Sequence, residues 1–287
     1  MEQSIPLARK MYQTLEPYHA MIYFVPEAPR AYARAGLEDR TRGYFASRAA
    51  PLGPVSPEVV VATFYNFSPT LVRSVIPAAW ERAAPAALVV ARFEAVDEAL
   101  RRILGDAVEG PEVAEASGLA REATAACTRE GRPLYAGYTA LAWPEAPHLA
   151  LWHAITLLRE YRGDGHIAAL LVEGADGLDA AIMYSAMGQA PVEAQRKTRG
   201  WSSEEWAAAE ERLRARGWLD GDGAPTEAGR AHRALVEGRT DALARAPWER
   251  LGEERCARLR QLVRPWSKAI VDAGTFPSGI GGGGQRA

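Results

Sequence analysis

Several polar side chains of this sequence lie in apolar or aromatic surroundings, where they could orient a small molecule. His19 and Tyr23 are four residues apart and therefore share one face of a predicted helix. Arg48 follows an aromatic pair, and Asn66 lies inside the run Phe-Tyr-Asn-Phe. A buried Arg or His without a partner is costly, so each must be satisfied by another side chain or by a bound molecule.

Two interpretations of these polar residues are open. In the first, they satisfy one another and fix the packing between the two halves of the chain. In the second, they line a pocket for an apolar or aromatic ligand, because small-molecule sites combine apolar walls with a few convergent polar groups. The ligand-binding residues that we expect in the second case are His19, Tyr23, Phe45, Arg48, Tyr65, Asn66, Trp152, His153, Arg162 and His166.

His166 has a feature of its own, because Asp164 just before it predicts a helix N-cap. The positive end of the helix dipole would lower the pKa of His166 and favour neutral imidazole, which can bind a metal or act as a base. A haem with His19 or His166 as axial ligand is one specific version of the pocket hypothesis. The alternative for His166 is a local structural hydrogen bond.

Enzyme and metal signatures are missing from the sequence. It contains no H-E-x-x-H, no G-x-S-x-G and no G-x-x-x-x-G-K-[ST] motif. Cys127 and Cys256 lie far apart, without the spacing of a zinc site. We therefore expect no metal centre and favour a binding protein, and an enzyme that uses His166 or His19 as general base is the alternative.

Composition indicates an ordinary globular protein. The chain has 287 residues and a net charge of −2, so bulk electrostatics neither recruits nor strongly repels nucleic acid. No apolar run approaches the length of about 18 residues that a membrane span needs. Charged residues occupy the positions where a signal peptide would have its apolar core. We predict a cytoplasmic protein that contacts no membrane.

Apolar residues recur at helical spacing along most of the chain, and the one strand pattern lies around residues 217–226. This predicts a mainly α fold with an N-terminal helical domain, residues 1–144. That domain packs on a winged-helix-like C-terminal domain with a small β wing, residues 145–274. A Gly-rich tail, residues 275–287, is expected to be flexible.

The sequence predicts where one helix breaks and what the last helix packs against. Near residue 163 the glycines predict a break, with one helix from His148 to Arg162 and the next beginning at Asp164. The last helix, residues 248–273, has enough apolar positions to form a homodimer or, alternatively, to close the intramolecular core.

The C-terminal half has an ordered series of motifs. Two short helices precede a helix that ends in Arg-Gly-Trp-Leu, and a Gly-Asp turn leads to Thr-Glu-Ala-Gly-Arg at the start of the next helix. Residues 164–265 thereby resemble the MarR-type winged-helix family, in which the recognition helix enters the DNA major groove and the last helices form a dimer. Segments such as Arg-Gly-Asp-Gly-His at 162–166 make the whole chain similar to an actinobacterial family of all-α proteins. That second resemblance implies the fold and no chemistry.

The predicted recognition helix departs from the MarR pattern in its charge. It carries Glu204, Glu205, Glu210 and Glu211, where a groove-reading helix needs side chains such as Arg, Lys, Asn, Gln or Ser. The turn that should bear a basic wing tip reads Asp-Gly-Asp-Gly. We therefore expect a winged-helix scaffold that has lost its DNA-reading residues, with a small molecule and not DNA as its partner.

The alternative to this ligand-binding hypothesis is a MarR-like transcriptional regulator. A basic insertion before the predicted recognition helix contains Arg196, Lys197 and Arg199. These cations could contact DNA phosphates, which supply most of the sequence-independent affinity of DNA-binding proteins.

Overall fold

The computed structural model describes residues 5–277, and this part of the chain is mainly helical. The mainly α prediction is confirmed. The α-helices are α1 (Leu7–Ala20), α2 (Glu27–Arg34), α3 (Arg40–Ala49), α4 (Pro57–Phe64), α5 (Pro69–Arg82), α6 (Pro85–Leu104), α7 (Pro111–Thr124), α8 (Pro133–Thr139), α9 (Pro147–Val172), α10 (Gly177–Ala186), α11 (Val192–Arg199), α12 (Ser203–Ala215), α13 (Glu227–Leu243), α14 (Ala246–Leu251) and α15 (Glu253–Asp272).

Helix α9 is the central element of the fold. Its residues 151–158 are all buried, so it is apolar around most of its circumference, as expected of a helix enclosed by others. Helices α1 and α7 pack on it from the N-terminal half of the chain, and α13 packs on it from the C-terminal half. Since α9 contacts both halves of the chain, a movement of α9 would shift the helices packed on it in both halves.

The predicted helix break near residue 163 is wrong, because α9 continues through Gly163 and Gly165. A helical glycine costs about 1 kcal/mol relative to alanine, and the tight packing around α9 outweighs that penalty. A Cβ at Gly165 would lie 2.8 Å from the guanidinium of Arg132, so the glycine allows this side chain to cross the helix. Asp164 is buried and accepts a hydrogen bond from the backbone N–H of Tyr135, near the start of α8, instead of capping a helix.

Two apolar cores flank α9. The first is formed mainly by α1, α2, α6, α7 and α15, with Trp152 of α9 at its centre. The second is aromatic and lies among α3, α4, α5 and α8. Helix α15 buries Leu259, Leu262 and Val263 in the first core, so the last helix closes the intramolecular core. The division into domains 1–144 and 145–274 stays a prediction.

Helices α10, α11 and α12 form a compact unit after α9. Capping boxes at Asp176 and Ser202 begin α10 and α12, because each cap side chain accepts a backbone N–H bond from the first turn. Trp206 and Leu213 of α12 pack against apolar side chains of α10 in a small third core. Helix α11 is an insertion between these two packed helices.

The predicted β wing is wrong for the described residues, where only an isolated antiparallel bridge joins Leu219 to Pro225. The Asp220 carboxylate accepts N–H bonds from Asp222 and Ala224, which closes the turn on itself. Pro225 has no N–H to donate, and Thr226 immediately becomes the N-cap of α13. A ladder of paired strands therefore has no room to form.

Two further observations concern the limits of the chain. No helix between residues 5 and 277 combines the length and apolar character that crossing a membrane requires. Most of the tail that we expect to be flexible, from residue 278 onward, lies outside the described residues.

We predict that two glycines of α13 respond in opposite ways to replacement by alanine. A Cβ at Gly229 would overlap the backbone carbonyl of Trp218, whereas Gly238 faces open space. Gly229→Ala should lower the free energy of unfolding by about 1–3 kcal/mol. Gly238→Ala, the matched control, should leave it unchanged or raise it by about 0.4–1 kcal/mol. Urea denaturation measures both, and an unaffected Gly229→Ala protein would contradict the close approach.

Candidate functional site

A group of buried and half-buried polar side chains lies where α3, α6 and the short turn after α1 (Met21–Tyr23) meet α9. We call it the arginine–tyrosine cluster, and its members are Tyr23, Tyr44, Arg48, Arg92, Arg159 and Glu160. Because these side chains come from three α-helices (α3, α6 and α9) and from the short turn Met21–Tyr23 that follows α1, the folded chain is needed to bring them together.

Glu160 is the central acid of the cluster and is 1% exposed. Its Oε2 accepts hydrogen bonds from Arg48 at 3.3 Å and from Arg159 at 2.9 Å. Burial opposes ionisation, but the two guanidiniums outweigh it and lower the pKa of Glu160 to about 2. Glu160 is therefore a carboxylate at neutral pH.

His19 belongs to a hydrogen-bonded chain that fixes its tautomer. Arg92 donates to the Tyr23 hydroxyl at 3.2 Å, and that hydroxyl lies 3.1 Å from His19 Nε2. On the other side of the ring, Nδ1 lies 3.0 Å from Thr156 Oγ1, whose proton is donated to the carbonyl oxygen of Trp152. The consistent assignment is a neutral ring with its proton on Nδ1, and burial lowers the pKa of His19 accordingly.

Both ring nitrogens of His19 are thus engaged. A role as haem ligand or general base would require Nε2 to exchange the Tyr23 hydroxyl for iron or for a substrate proton. The ring also stacks on Trp152, with centroids 5.9 Å apart and an interplanar angle of 9°. His19 is consequently fixed in place by three neighbours.

A small cavity opens beside the cluster, and its walls include Tyr12, Glu16, Arg159 and Arg162. Its volume of about 20 Å³ holds roughly one water molecule. Burial raises the pKa of Glu16 to about 7 even though Arg159 opposes the shift, so this carboxyl gains a proton more readily than an exposed glutamate does. Binding of anything larger than water would require the surrounding helices to separate.

Arg162 and His166 lie farther along α9 in a second ionic group. Arg162 Nη1 is 2.8 Å from a carboxylate oxygen of Asp241, and His166 Nδ1 is 2.9 Å from Thr240 Oγ1. Burial lowers the pKa of His166 to about 4, although Glu237 opposes the shift. His166 is in the middle of α9, so the helix dipole invoked from the sequence is not the cause.

Of the other expected ligand-binding residues, Trp152 and Phe45 touch the cluster, because the Arg92 guanidinium lies 5.3 Å from the centre of the Trp152 ring and the Phe45 ring packs on that of Tyr44. Phe45 packs in the aromatic core, and the Tyr65 hydroxyl donates to the carbonyl of Ala175 at 2.6 Å. The backbone carbonyl of Asn66 accepts a bond from the Trp201 indole at 3.0 Å. His153 is buried on another face of α9, where burial lowers its pKa to about 4. The ten residues therefore do not form one pocket.

Sequence reasoning missed four members of the cluster, namely Tyr44, Arg92, Arg159 and Glu160. Arg92 lies on the apolar face of α6 and is 2% exposed. The missed signal was a charged residue at a core-facing position of an amphipathic helix.

The basic insertion is α11, and its three cations have different surroundings. Arg199 turns inward, with its guanidinium 4.5 Å from the centre of the Phe67 ring. Arg196 pairs with Glu193 and contacts Ser203. Lys197 is exposed and forms no ion pair with any residue in the range 5–277.

Helix α12 presents one face to α10 and the opposite face to solvent. Its exposed face includes Glu204, Ala207, Ala208 and Glu211. Three of the four glutamates already have partners inside the protein: Glu205 bonds Ser202 N, Glu210 accepts from the Trp206 indole, and Glu211 pairs with Arg214. Of these partners only Arg214, which also lies 3.4 Å from Glu210, carries a positive charge, so it offsets part of the negative charge of Glu210 and Glu211.

Helices α10 and α12 pack on each other, and α12 leaves one face exposed. A comparison with known protein families agrees with this arrangement. The profile of a helix-turn-helix family matches residues 8–277, nearly the whole chain. The chain belongs to this helix-turn-helix family. Comparisons with curated proteins and with solved structures give no match.

Membership of a helix-turn-helix family points to DNA as a partner. Our expectation that DNA is not a partner is therefore wrong. It weighed the glutamates of α12 without Arg214, which pairs with Glu210 and Glu211 and offsets part of their charge. We call α10, α11 and α12 the helix-turn-helix unit, because we propose below that these three helices are the helix-turn-helix of this family.

We predict that the arginine–tyrosine cluster depends on the charge of Glu160. Glu160→Gln leaves Arg48 and Arg159 without their shared carboxylate and should lower the free energy of unfolding by about 3–5 kcal/mol. The matched control is Glu58→Gln, which breaks an exposed pair with Arg73 and should have little effect. Chemical denaturation measures both variants, and equal effects would contradict the central role of Glu160.

Proposed function

We propose that the protein binds DNA by placing α12 in the major groove. The observation that carries this proposal is the arrangement of α12, which buries Trp206, Ala209 and Leu213 against α10 and leaves its opposite face exposed. A major groove is wide enough to admit an α-helix presented in this way. The family match over residues 8–277 supports the same function.

The exposed face of α12 offers two kinds of base contact. Alanine side chains such as Ala207 and Ala208 can pack on thymine methyl groups, and a free glutamate such as Glu204 can accept a hydrogen bond from the cytosine N4 amino group. These contacts specify sequence, while affinity has to come from cations that reach the phosphates.

Two exposed cations flank α12 and suit that second task. Lys197 lies on α11, and Arg230 lies in the first turn of α13. Neither forms an ion pair with a carboxylate of residues 5–277, unlike Arg212, which pairs with Asp176 and Asp179. We assign Lys197, on the helix before α12, and Arg230, on the helix after it, to the DNA backbone.

Lys197→Ala should weaken DNA binding without changing the fold. Loss of one phosphate contact should raise Kd and reduce the slope of log K against log salt by about one. The measurement is fluorescence anisotropy with a labelled duplex of mixed sequence over a range of salt concentrations. Lys268→Ala, which changes an exposed lysine on α15, is the matched control and should bind like the wild type. Absence of DNA binding by the wild type at low salt would refute the proposal.

We further propose that the helix-turn-helix unit is of MarR type and that its DNA binding responds to a small molecule. The order of α9, α10, α12, turn and α13 supports the first point. The charge of the arginine–tyrosine cluster supports the second. Counting Arg199 and Glu16 beside it, four guanidiniums (Arg48, Arg92, Arg159 and Arg199) face two carboxylates (Glu16 and Glu160).

Of the residues that we expected from the sequence to bind a ligand, His19, Tyr23 and Arg48 lie at this cluster. A surplus of positive charge on buried and half-buried side chains favours a ligand that carries negative charge. A haem bound through His19 would have to displace the Tyr23 hydroxyl from Nε2. The propionates of a haem would meet the same guanidiniums, so what favours a small anionic effector is that it leaves the His19–Tyr23 hydrogen bond intact.

A further inference from the structure

Two arginines from distant parts of the chain lie over neighbouring aromatic rings. The guanidinium of Arg48, on α3, is 4.4 Å from the centre of the Phe64 ring, and that of Arg199, on α11, is 4.5 Å from the centre of the Phe67 ring. The two ring centres are 6.2 Å apart. The ring of Tyr44 contacts both phenylalanines, and its hydroxyl accepts a bond from Arg48 at 3.5 Å.

The position of Arg199 is fixed by its backbone and not by an acid. Its carbonyl oxygen accepts a hydrogen bond from Ser68 N at 2.8 Å, at the start of α5. Gly200, which follows, has a φ of 73° and packs so closely on Leu71 that a Cβ would lie 2.7 Å from the Leu71 Cβ. The chain therefore directs the Arg199 side chain inward, toward the aromatic core.

Arg199 has no carboxylate partner among residues 5–277, although its Nε is buried. Burial lowers the pKa of Arg199, and the nearby Arg48 and Arg159 act in the same direction. The Nε of Arg48 is likewise buried without a hydrogen-bond partner. A cation–π contact with Phe67 compensates only part of the cost of removing a guanidinium from water. Packing against Phe67 therefore does not by itself account for a guanidinium at the position of Arg199.

We propose that Arg199 and Arg48, with the Tyr44 hydroxyl, form a site for the carboxylate or phosphate group of a small molecule. Guanidinium groups present planar pairs of N–H donors that match the oxygens of either group. Aromatic edges of Phe64 and Phe67 would contact an apolar body attached to the anion. This site rests on the proposed response to a small molecule and specifies the class of that molecule.

Binding at this site would act directly on the helix-turn-helix unit. Arg199 is the last residue of α11, and α11 connects α10 to α12. An anion held between Arg199 and Arg48 would draw the end of α11 toward α3. The effector and the DNA-contacting Lys197, two residues earlier on α11, would therefore be coupled through one short helix.

The test is thermal unfolding of the full chain, without DNA, in sodium benzoate, sodium phosphate or sodium chloride at equal ionic strength. A ligand that binds the folded state raises Tm in a saturable, concentration-dependent way. We expect benzoate or phosphate, but not chloride, to do so. Saturation with benzoate alone would indicate a carboxylate effector, and saturation with phosphate alone a phosphorylated one. No saturable rise with either anion overturns the proposal.

Variants then assign the effect to the site. Arg199→Gln should abolish the saturable rise in Tm, and the milder Arg199→Lys should weaken it several-fold. Lys268→Gln, at an exposed position of α15 outside both proposed sites, is the matched control and should respond like the wild type. Circular dichroism checks that each variant is folded, and should Arg199→Gln fail to fold, Arg199→Lys alone decides. An undiminished response in a folded Arg199 variant overturns the site. Because no DNA is present, failure of anion binding is distinguishable from failure of DNA binding.

Discussion

The rest of the structure depends on the ion pairs that the buried Glu160 carboxylate forms with Arg48 and Arg159. Glu160 lies on the central helix α9 and holds Arg48 of α3 and the neighbouring Arg159 in the protein interior. Buried guanidiniums are tolerated only where opposite charge and hydrogen bonds compensate for lost water. Without Glu160, the surplus of positive charge in this region would oppose the packing of α3 on α9.

The aromatic core extends this constraint to the helix-turn-helix unit. The segment that follows α4 forms three hydrogen bonds with α11, α12 and the loops beside them. The Tyr65 hydroxyl donates to the carbonyl of Ala175, just before α10, and the Trp201 indole donates to the carbonyl of Asn66. The backbone N–H of Ser68 donates to the carbonyl of Arg199. Tyr65 itself has a φ of 56°, which is strained for a residue with a side chain. The unit is thus attached to the N-terminal helices at several points, and a change in the aromatic core would reach it.

The helices and their caps could be predicted from the sequence because the signals are local. Ser202 with Glu205 is a capping box that depends only on spacing, and the structure has it. The continuity of α9 could not be predicted, because Gly163 and Gly165 are tolerated through contacts made by distant residues such as Arg132. Likewise, Pro225 and the self-closing Asp220 turn leave no room for the expected wing.

The site was partly predictable for the same reason. His19 and Tyr23 could be paired by helical spacing, and their side chains are indeed hydrogen-bonded. Glu160 follows Arg159 near charged residues that resemble a solvated helix end, and only the tertiary fold encloses it. Arg199 appeared to belong to a basic surface patch, but the left-handed turn at Gly200 directs it inward. Local spacing gives no information about which side of such a turn faces the core.

The central claim is that an anion bound between Arg199 and Arg48 changes the affinity of the helix-turn-helix unit for DNA. The most direct measurement is the Kd for a labelled mixed-sequence duplex at low salt, with benzoate or chloride added at equal ionic strength. The account predicts that benzoate changes the Kd of the wild type several-fold and leaves that of Arg199→Gln unchanged. If the wild type binds both benzoate and DNA but its Kd for DNA is the same with and without benzoate, the interior and the helix-turn-helix unit are independent, and the account is contradicted.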